Sequence, residues 1–296
     1  MPPPTLAVFT KNRLNPAYDA ARMVADRVAA EAGARTVHYV PATPDHVGQQ
    51  KALVSEALAA RPDAVLFNPT DDVEMQEDLA RFAAAGIPVA VFINRMPGKV
   101  LTFVGSDDVA VGYTAAKALI LGLAGAGRIV ALDGTPSART ARDRAVGLQR
   151  AVAENPGITL LSARVGYLQQ APARTAMAEL LKAHPRIDGV WTANDLMAFG
   201  ALDALADAGR TARVVGVNGL PAAIDHIEHG RMLASVDFSA FNIAAIAARA
   251  VLRHLDGKPV PQEIMVPAEL IDRSNCQRWK VPFAQRPSPA WDEIVR

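Results

Sequence analysis

The chain has 296 residues, 50% apolar and 21% charged, so it can bury the cores of about two domains and lacks the composition of a disordered chain. Lys plus Arg number 31 and Asp plus Glu 30, a net charge of +1, which argues against a nucleic-acid or anionic-membrane surface as the main partner. The lone Cys276 excludes an intrachain disulfide and a cysteine-rich metal site.

The chain opens Met1-Pro2-Pro3-Pro4 and reaches a strand-like run at once, without the basic start, apolar block and small-residue cleavage site of a signal peptide. Either the protein is cytoplasmic or this is a mature chain whose leader has been removed. No window approaches the roughly 18–20 apolar residues of a membrane span. In chain order the expected strands are Leu6–Thr10, Thr36–Val40, Ala64–Phe67, Val89–Ile93, Leu101–Val104, Arg128–Leu132, Thr159–Arg164, Gly189–Thr192 and Arg213–Val217. Between them lie helical segments: Ala17–Ala32, Gln49–Ala60, Glu74–Ala85, Val109–Leu123, Ala138–Ala153, Ala173–Ala183, Leu196–Ala208 and finally Asn242–Leu255. Continuous apolar strands alternating with helices predict an α/β fold with parallel sheets covered on both faces. An internal echo predicts two such lobes. A Pro-stopped helix and an apolar strand lead to Asn68, and the same plan leads to Asn194. The following strands end in Asn94 and Asn218.

In open parallel sheets ligands bind beyond the carboxyl ends of the strands. Those ends carry Thr10-Lys11-Asn12, Asn68-Pro69-Thr70-Asp71-Asp72, Asn94-Arg95, Asp133-Gly134-Thr135, Asn194-Asp195 and Asn218-Gly219. Asn and Arg offer multidentate donors and acceptors suited to hydroxyls or carboxylates. The competing role is ordinary helix capping or turn duty, which suits Asn68, Asp71, Asp72 and Asp195, with a helix start at Asn15 before Pro16. Asn94-Arg95 is not a routine cap. Motifs of nucleophile elbows, phosphate loops, zinc helices and dinucleotide turns are absent from the sequence. His226 and His229 share a helical spacing, but with Asp225 and Glu228 beside them they read as an exposed helix end. Neither a metal nor a cofactor is expected, and an enzyme is not.

These strand-end residues, in this order, resemble the type I periplasmic sugar-binding proteins, the ribose- and galactose-binding group serving ABC importers. The landmarks are Asn15-Pro16-Ala17-Tyr18, Leu66-Phe67-Asn68-Pro69-Thr70-Asp71, Gly86-Ile87-Pro88-Val89 and Val104-Gly105-Ser106-Asp107-Asp108. They continue through Gly134-Thr135, Arg142-Asp143-Arg144, Ala183-His184-Pro185, Ala193-Asn194-Asp195 and Val215-Gly216-Val217-Asn218-Gly219. The resemblance implies two Rossmann-like lobes, 1–105 with 239–269 and 106–238 with 270–296. Three crossings near Ser106, Phe238-Ser239 and Glu269–Asp272 would join them as a hinge. It implies ligand contacts from Lys11, Asn15, Tyr18, Asn94, Arg95, Arg142, Asn194, Asn218 and Phe238. Tyr18 would stack on a sugar ring, and Arg95 and Arg142 would fork onto hydroxyls or a carboxylate.

Three positions depart from the family pattern: Asn94 and Asn218 stand where Asp is usual, and Phe238 where Gln is usual. The implied ligand is therefore a neutral sugar or polyol other than plain ribose, with a sugar acid as the alternative. The implied partner is an ABC permease, with a sensory membrane receptor as the alternative. The resemblance further implies a periplasmic monomer. The same fold serves lac-repressor-type effector domains, but this chain starts at strand one without their helix-turn-helix, so DNA binding is not expected.

Overall fold

Runs of Val, Ile, Leu and Phe buried on both faces form strands, and the Ala- and Leu-rich stretches between them form helices, in a computed structural model that describes residues 2–295. The elements begin β1 (Thr5–Phe9), α1 (Pro16–Glu31), β2 (Arg35–Tyr39), α2 (Val47–Ala60), β3 (Ala64–Phe67), α3 (Gln76–Ala84), β4 (Val89–Phe92) and β5 (Thr102–Gly105). They continue α4 (Asp108–Gly122), β6 (Gly127–Asp133), α5 (Arg139–Ala153), β7 (Ile158–Val165), α6 (Gln170–Ala183), β8 (Gly189–Thr192), α7 (Asp195–Asp207) and β9 (Arg213–Val217). The last are α8 (Pro221–Glu228), β10 (Ala234–Asp237), α9 (Ala240–Leu255), β11 (Glu263–Met265), β12 (Glu269–Asp272) and α10 (Trp291–Ile294). Every strand expected from sequence is present to within one residue at either end. No helix among the described residues is long and apolar enough to cross a membrane.

The chain divides into two compact units. The first comprises Met1–Ser106, Ala240–Val266 and Phe283–Arg296; the second comprises Asp107–Ser239 and Pro267–Pro282. The chain thus passes between units four times, after Ser106, Ser239, Val266 and Pro282. The extra passage differs from the three-crossing expectation and from the placement of all of 270–296 in the second lobe. Its cause is local to the first unit. Arg27 donates to the carbonyls of Ala284 and Arg286, Arg249 donates to that of Pro289, and the Arg253 guanidinium lies 4.5 Å over the Trp291 ring. Phe283 stacks on Phe241 with 6.0 Å between centroids. These contacts seat the last segment on α1 and α9.

The first unit is a sheet of order β2-β1-β3-β4-β5-β11, parallel throughout. Alternation along the strands turns Ala7, Phe9, Val65, Phe67, Val89 and Val91 into one core with Val54 and Ala57 of α2 and Leu79 and Phe82 of α3. Phe9 anchors it, 4.8 Å from the stacked Tyr39 ring and 5.2 Å from Phe67. Helices α1 and α9 pack together, and α9 lies along β3, β4 and β5.

The second unit has the order β7-β6-β8-β9-β10-β12, parallel except for β12 against β10. Here α4 and α5 touch backbone to backbone. A Cβ on Gly112 would come within 2.1 Å of the Arg144 carbonyl oxygen, and one on Gly147 within 2.1 Å of the Val109 carbonyl oxygen. Only glycine fits both places. That approach brings Arg144 of α5 to Asp108 of α4.

Candidate functional site

In the first unit strand order reverses between β1 and β3, the place where ligands bind in open parallel sheets. The β1 end supplies Lys11, whose side chain is enclosed and whose Nζ lies 3.9 Å from Asp45 Oδ1. Asn12 Oδ1 accepts from the backbone N–H groups of Leu14 and Asn15 and so fixes this loop. Asn15 is the N-cap of α1, its Oδ1 accepting from Ala17 N at 3.0 Å, with Pro16 following. Tyr18 is buried in the first helical turn. Arg22, missed by sequence reasoning, donates to Thr10 Oγ1 and the Asn12 carbonyl while pairing with Asp19. The Asp19/Arg22 spacing was the available signal.

At the ends of β3 and β4 two amides meet. Asn94 Nδ2 donates to Asn68 Oδ1 at 2.7 Å. Asn68 is fully buried, and its Nδ2 is enclosed without a partner. It caps no helix: Gln50 Nε2 donates to its carbonyl, and Gln50 Oε1 accepts from the Thr70 N–H and hydroxyl. Asp71, by contrast, performs the expected turn duty, accepting from Val73 N and Glu74 N at 2.8 Å each. Asn94 is presented by a strained turn. Asn94 N donates to the Phe92 carbonyl at 2.8 Å across Ile93, whose φ is +63°. A β-branched residue in that region costs about 1–3 kcal/mol, and such strain gathers at binding sites. Arg95 does not stand free: it pairs with Glu263 of β11 and lies 4.1 Å over the Phe103 ring.

The second unit repeats the plan, with the reversal between β6 and β8. Asp133 ends β6, and burial raises its pKa. Arg142, itself exposed in the first turn of α5, donates to the Pro136 carbonyl at 3.0 Å. Asn194 is structurally committed. Its Oδ1 caps α7 through Met197 N at 2.9 Å, and its Nδ2 donates to the Leu168 carbonyl at 3.0 Å. Asp195 is not the cap it was read as. Its two oxygens accept from Leu220 N at 2.9 Å and Ser235 Oγ at 2.7 Å, and Gly219 N donates to Ser235 Oγ. Burial raises its pKa to about 7 despite those bonds.

This network shapes the loop that carries Asn218, whose φ is +128° and whose Oδ1 is enclosed without a partner. At the β10 end Phe238 is buried with the Arg144 guanidinium 4.9 Å over its ring. Arg144 also donates to the Ala193 carbonyl at 2.9 Å and to Asp108 Oδ1 at 2.8 Å. Burial raises the Asp108 pKa to about 6, against the pull of Arg144. Asp237 accepts from Ser239 N and from Trp279 Nε1, which ties Cys276–Lys280 to the same strand end. Of the two histidines considered for metal, His229 Nδ1 contacts the Asp225 carbonyl and His226 stacks on Phe199. Among the described residues no three His, Cys, Asp or Glu side chains group to hold an ion.

Known proteins share the sequence family and the fold. Residues 6–259 match the family model of the periplasmic binding protein domain. The ribose import binding protein of Bacillus subtilis is 30% identical over 267 residues, 90% of this chain and 85% of the relative. The ribose import binding protein of Escherichia coli is 26% identical, with 90% of each chain covered. An ABC transporter periplasmic solute-binding protein from Actinobacillus succinogenes, solved with bound D-allose, superposes with a TM-score of 0.89 at 26% identity, covering 93% of this chain and 99% of that one.

Proposed function

This chain belongs to the periplasmic binding protein domain family, and from that premise we propose that it is the solute receptor of an ABC importer for a small, uncharged sugar or polyol. The relatives bind ribose or D-allose by name and are binding proteins, and no catalytic role is assigned to this chain. Its working place is the periplasm. Strand-end residues contribute the contacts to the ligand, and binding shifts the population toward a ligand-holding form that the permease recognises.

The carrying observation is that each unit, taken by itself, has an orphan amide group at its strand ends: the Asn68 Nδ2 donor in the first and the Asn218 Oδ1 acceptor in the second. Enclosed polar atoms are normally satisfied, and each exception needs an explanation. A hydroxyl both accepts and donates, so a polyhydroxylated ligand answers both. A carboxylate, which only accepts, could answer a donor such as Asn68 Nδ2 but not an acceptor such as Asn218 Oδ1. Charge supports the same choice. Lys11 faces Asp45, Arg95 pairs with Glu263 and Arg144 with Asp108, so these cations already have anionic partners. The proposed contacts are Asn68, Asn94, Tyr18 and Lys11 in the first unit and Asn218, Phe238 and Arg142 in the second. Asn15 and Asn194 act by holding the helix starts behind it.

The test is a thermal-shift screen against pentoses, hexoses, polyols and the matching aldonic acids, followed by calorimetry on the hits. A cognate ligand at a hundred times its Kd adds about 2.7 kcal/mol, a shift of several degrees. A shift confined to the acids would overturn the uncharged-ligand assignment.

A further inference from the structure

The second unit has a cavity of about 790 Å³ far from its strand carboxyl ends, at the edge where β8 and β9 begin. It forms where α7 ends. Gly209, with φ +60°, turns the chain back, and Arg210 N donates to the Leu205 carbonyl at 2.9 Å. Arg210 then makes a fixed wall, its guanidinium held by the carbonyls of Leu181, His184 and Pro185. Ile187, Leu202 and Leu205 give the cavity an apolar floor.

The polar groups around that floor are unbalanced. Its two carboxylates have partners elsewhere: Asp188 accepts from Arg186 Nε and Arg128 N, and Asp203 accepts from Gln170 Nε2. Arg213 and Arg231, by contrast, make no side-chain hydrogen bond or ion pair among the described residues, and both line the cavity. His226 lines it too, its ring stacked 5.3 Å from Phe199 and its Nδ1 enclosed without a partner. Two guanidiniums without an ion-pair partner and the His226 ring thus border an aliphatic surface of ligand size.

We propose that this cavity binds a small carboxylate with an apolar body, its carboxylate taken by Arg213, Arg231 and His226 and its body laid on Ile187, Leu202 and Leu205. The site is separate from the sugar contacts, so its occupancy does not depend on which solute the strand ends hold. Burial and Arg231 hold the His226 pKa below its ordinary value, with Asp203 and Asp225 pulling it up and His229 adding to the depression. A carboxylate bound beside the ring would raise it.

Hexanoate is the probe, with acetate and hexan-1-ol as controls for the charge and the chain taken singly. Titration followed by calorimetry and by the His226 imidazole NMR signals should show saturable hexanoate binding in the millimolar range. Acetate and hexan-1-ol should each bind several-fold more weakly, and the His226 titration should move to higher pH with hexanoate present. The exposed variants Arg213→Ala and Arg231→Ala should each weaken hexanoate by about five-fold, as expected for one partly screened charge contact. Absence of saturable binding, acetate binding as well as hexanoate, full affinity in Arg231→Ala, or an unmoved His226 titration would each overturn the proposal.

Discussion

Replacing Arg144 with Met separates the charge that holds the Phe238 end of the site from the volume that fills it. Arg144 and Asp108 are 4% and 8% exposed, with Nε 2.8 Å from Oδ1. Asp108 ionises at about 6 rather than 3.8 even with the guanidinium beside it. That displacement corresponds to about 3 kcal/mol of stability given up between pH 4 and pH 8. The sign follows from proton occupancy. Between about 4 and about 6 the folded protein keeps a proton that the unfolded chain has released, so stability falls as pH rises through that window. Removing Arg144 takes away the cation that favours the carboxylate, and the window extends upward. Arg144→Met should therefore cost about 3–5 kcal/mol at pH 8, the range for a buried pair broken from one side. At pH 5, where Asp108 can stay protonated, the loss should be clearly smaller. Urea unfolding followed by tryptophan fluorescence at the two pH values measures this, since Trp191 is buried in the same unit with Nε1 on the Gly112 carbonyl. A loss below about 1 kcal/mol, or equal losses at both pH values, would refute the account of Asp108 as an enclosed carboxylate dependent on Arg144.

Two further outcomes follow from the same strand ends. Asn218→Gly removes the orphan oxygen and relieves a φ of +128°, so the ligand-free protein should melt no lower than the parent while affinity falls about ten-fold; unchanged affinity by calorimetry would take Asn218 out of the site. Asp195, with its pKa raised to about 7, should make stability decline from about pH 4 to about pH 7. Asp195→Asn has no proton to lose, so its stability relative to the parent should rise across that range, and parallel unfolding curves at pH 5 and pH 8 would contradict this.

Much of the fold was legible because β1, β3, β4, β8 and β9 are short, largely apolar runs and helical-period segments lie between most of the strands. The strands β10, β11 and β12 were not. Ala234–Asp237, Glu263–Met265 and Glu269–Asp272 are short and carry charges, and they become strands only by pairing with β9, β5 and β10. At the site, Asn94 and Asn218 stood out in the sequence as polar ends of buried strands. Asn68 was read as a cap, although Pro69 follows it and no helix begins until Gln76. Asn194 was read as a ligand contact, yet both ends of its amide are committed to backbone. The Arg144–Asp108 pair spans 36 residues and depends on two glycines allowing α4 and α5 to touch. No local sequence pattern relates such residues.

The discontinuous path of the first unit affects the order in which the protein can be completed on the ribosome. Met1–Ser106 emerges first, but α9, most of whose residues are buried and which lies along β3, β4 and β5, is not made until Ala240–Leu255 is synthesised. Asp107–Ser239, by contrast, is one unbroken stretch that needs only β12 and Cys276–Lys280 from later chain. The unit translated second is therefore nearly finished while the unit translated first still holds an apolar sheet face open. During that interval the nascent chain is most exposed to aggregation, and a chaperone would shield the β3–β5 face.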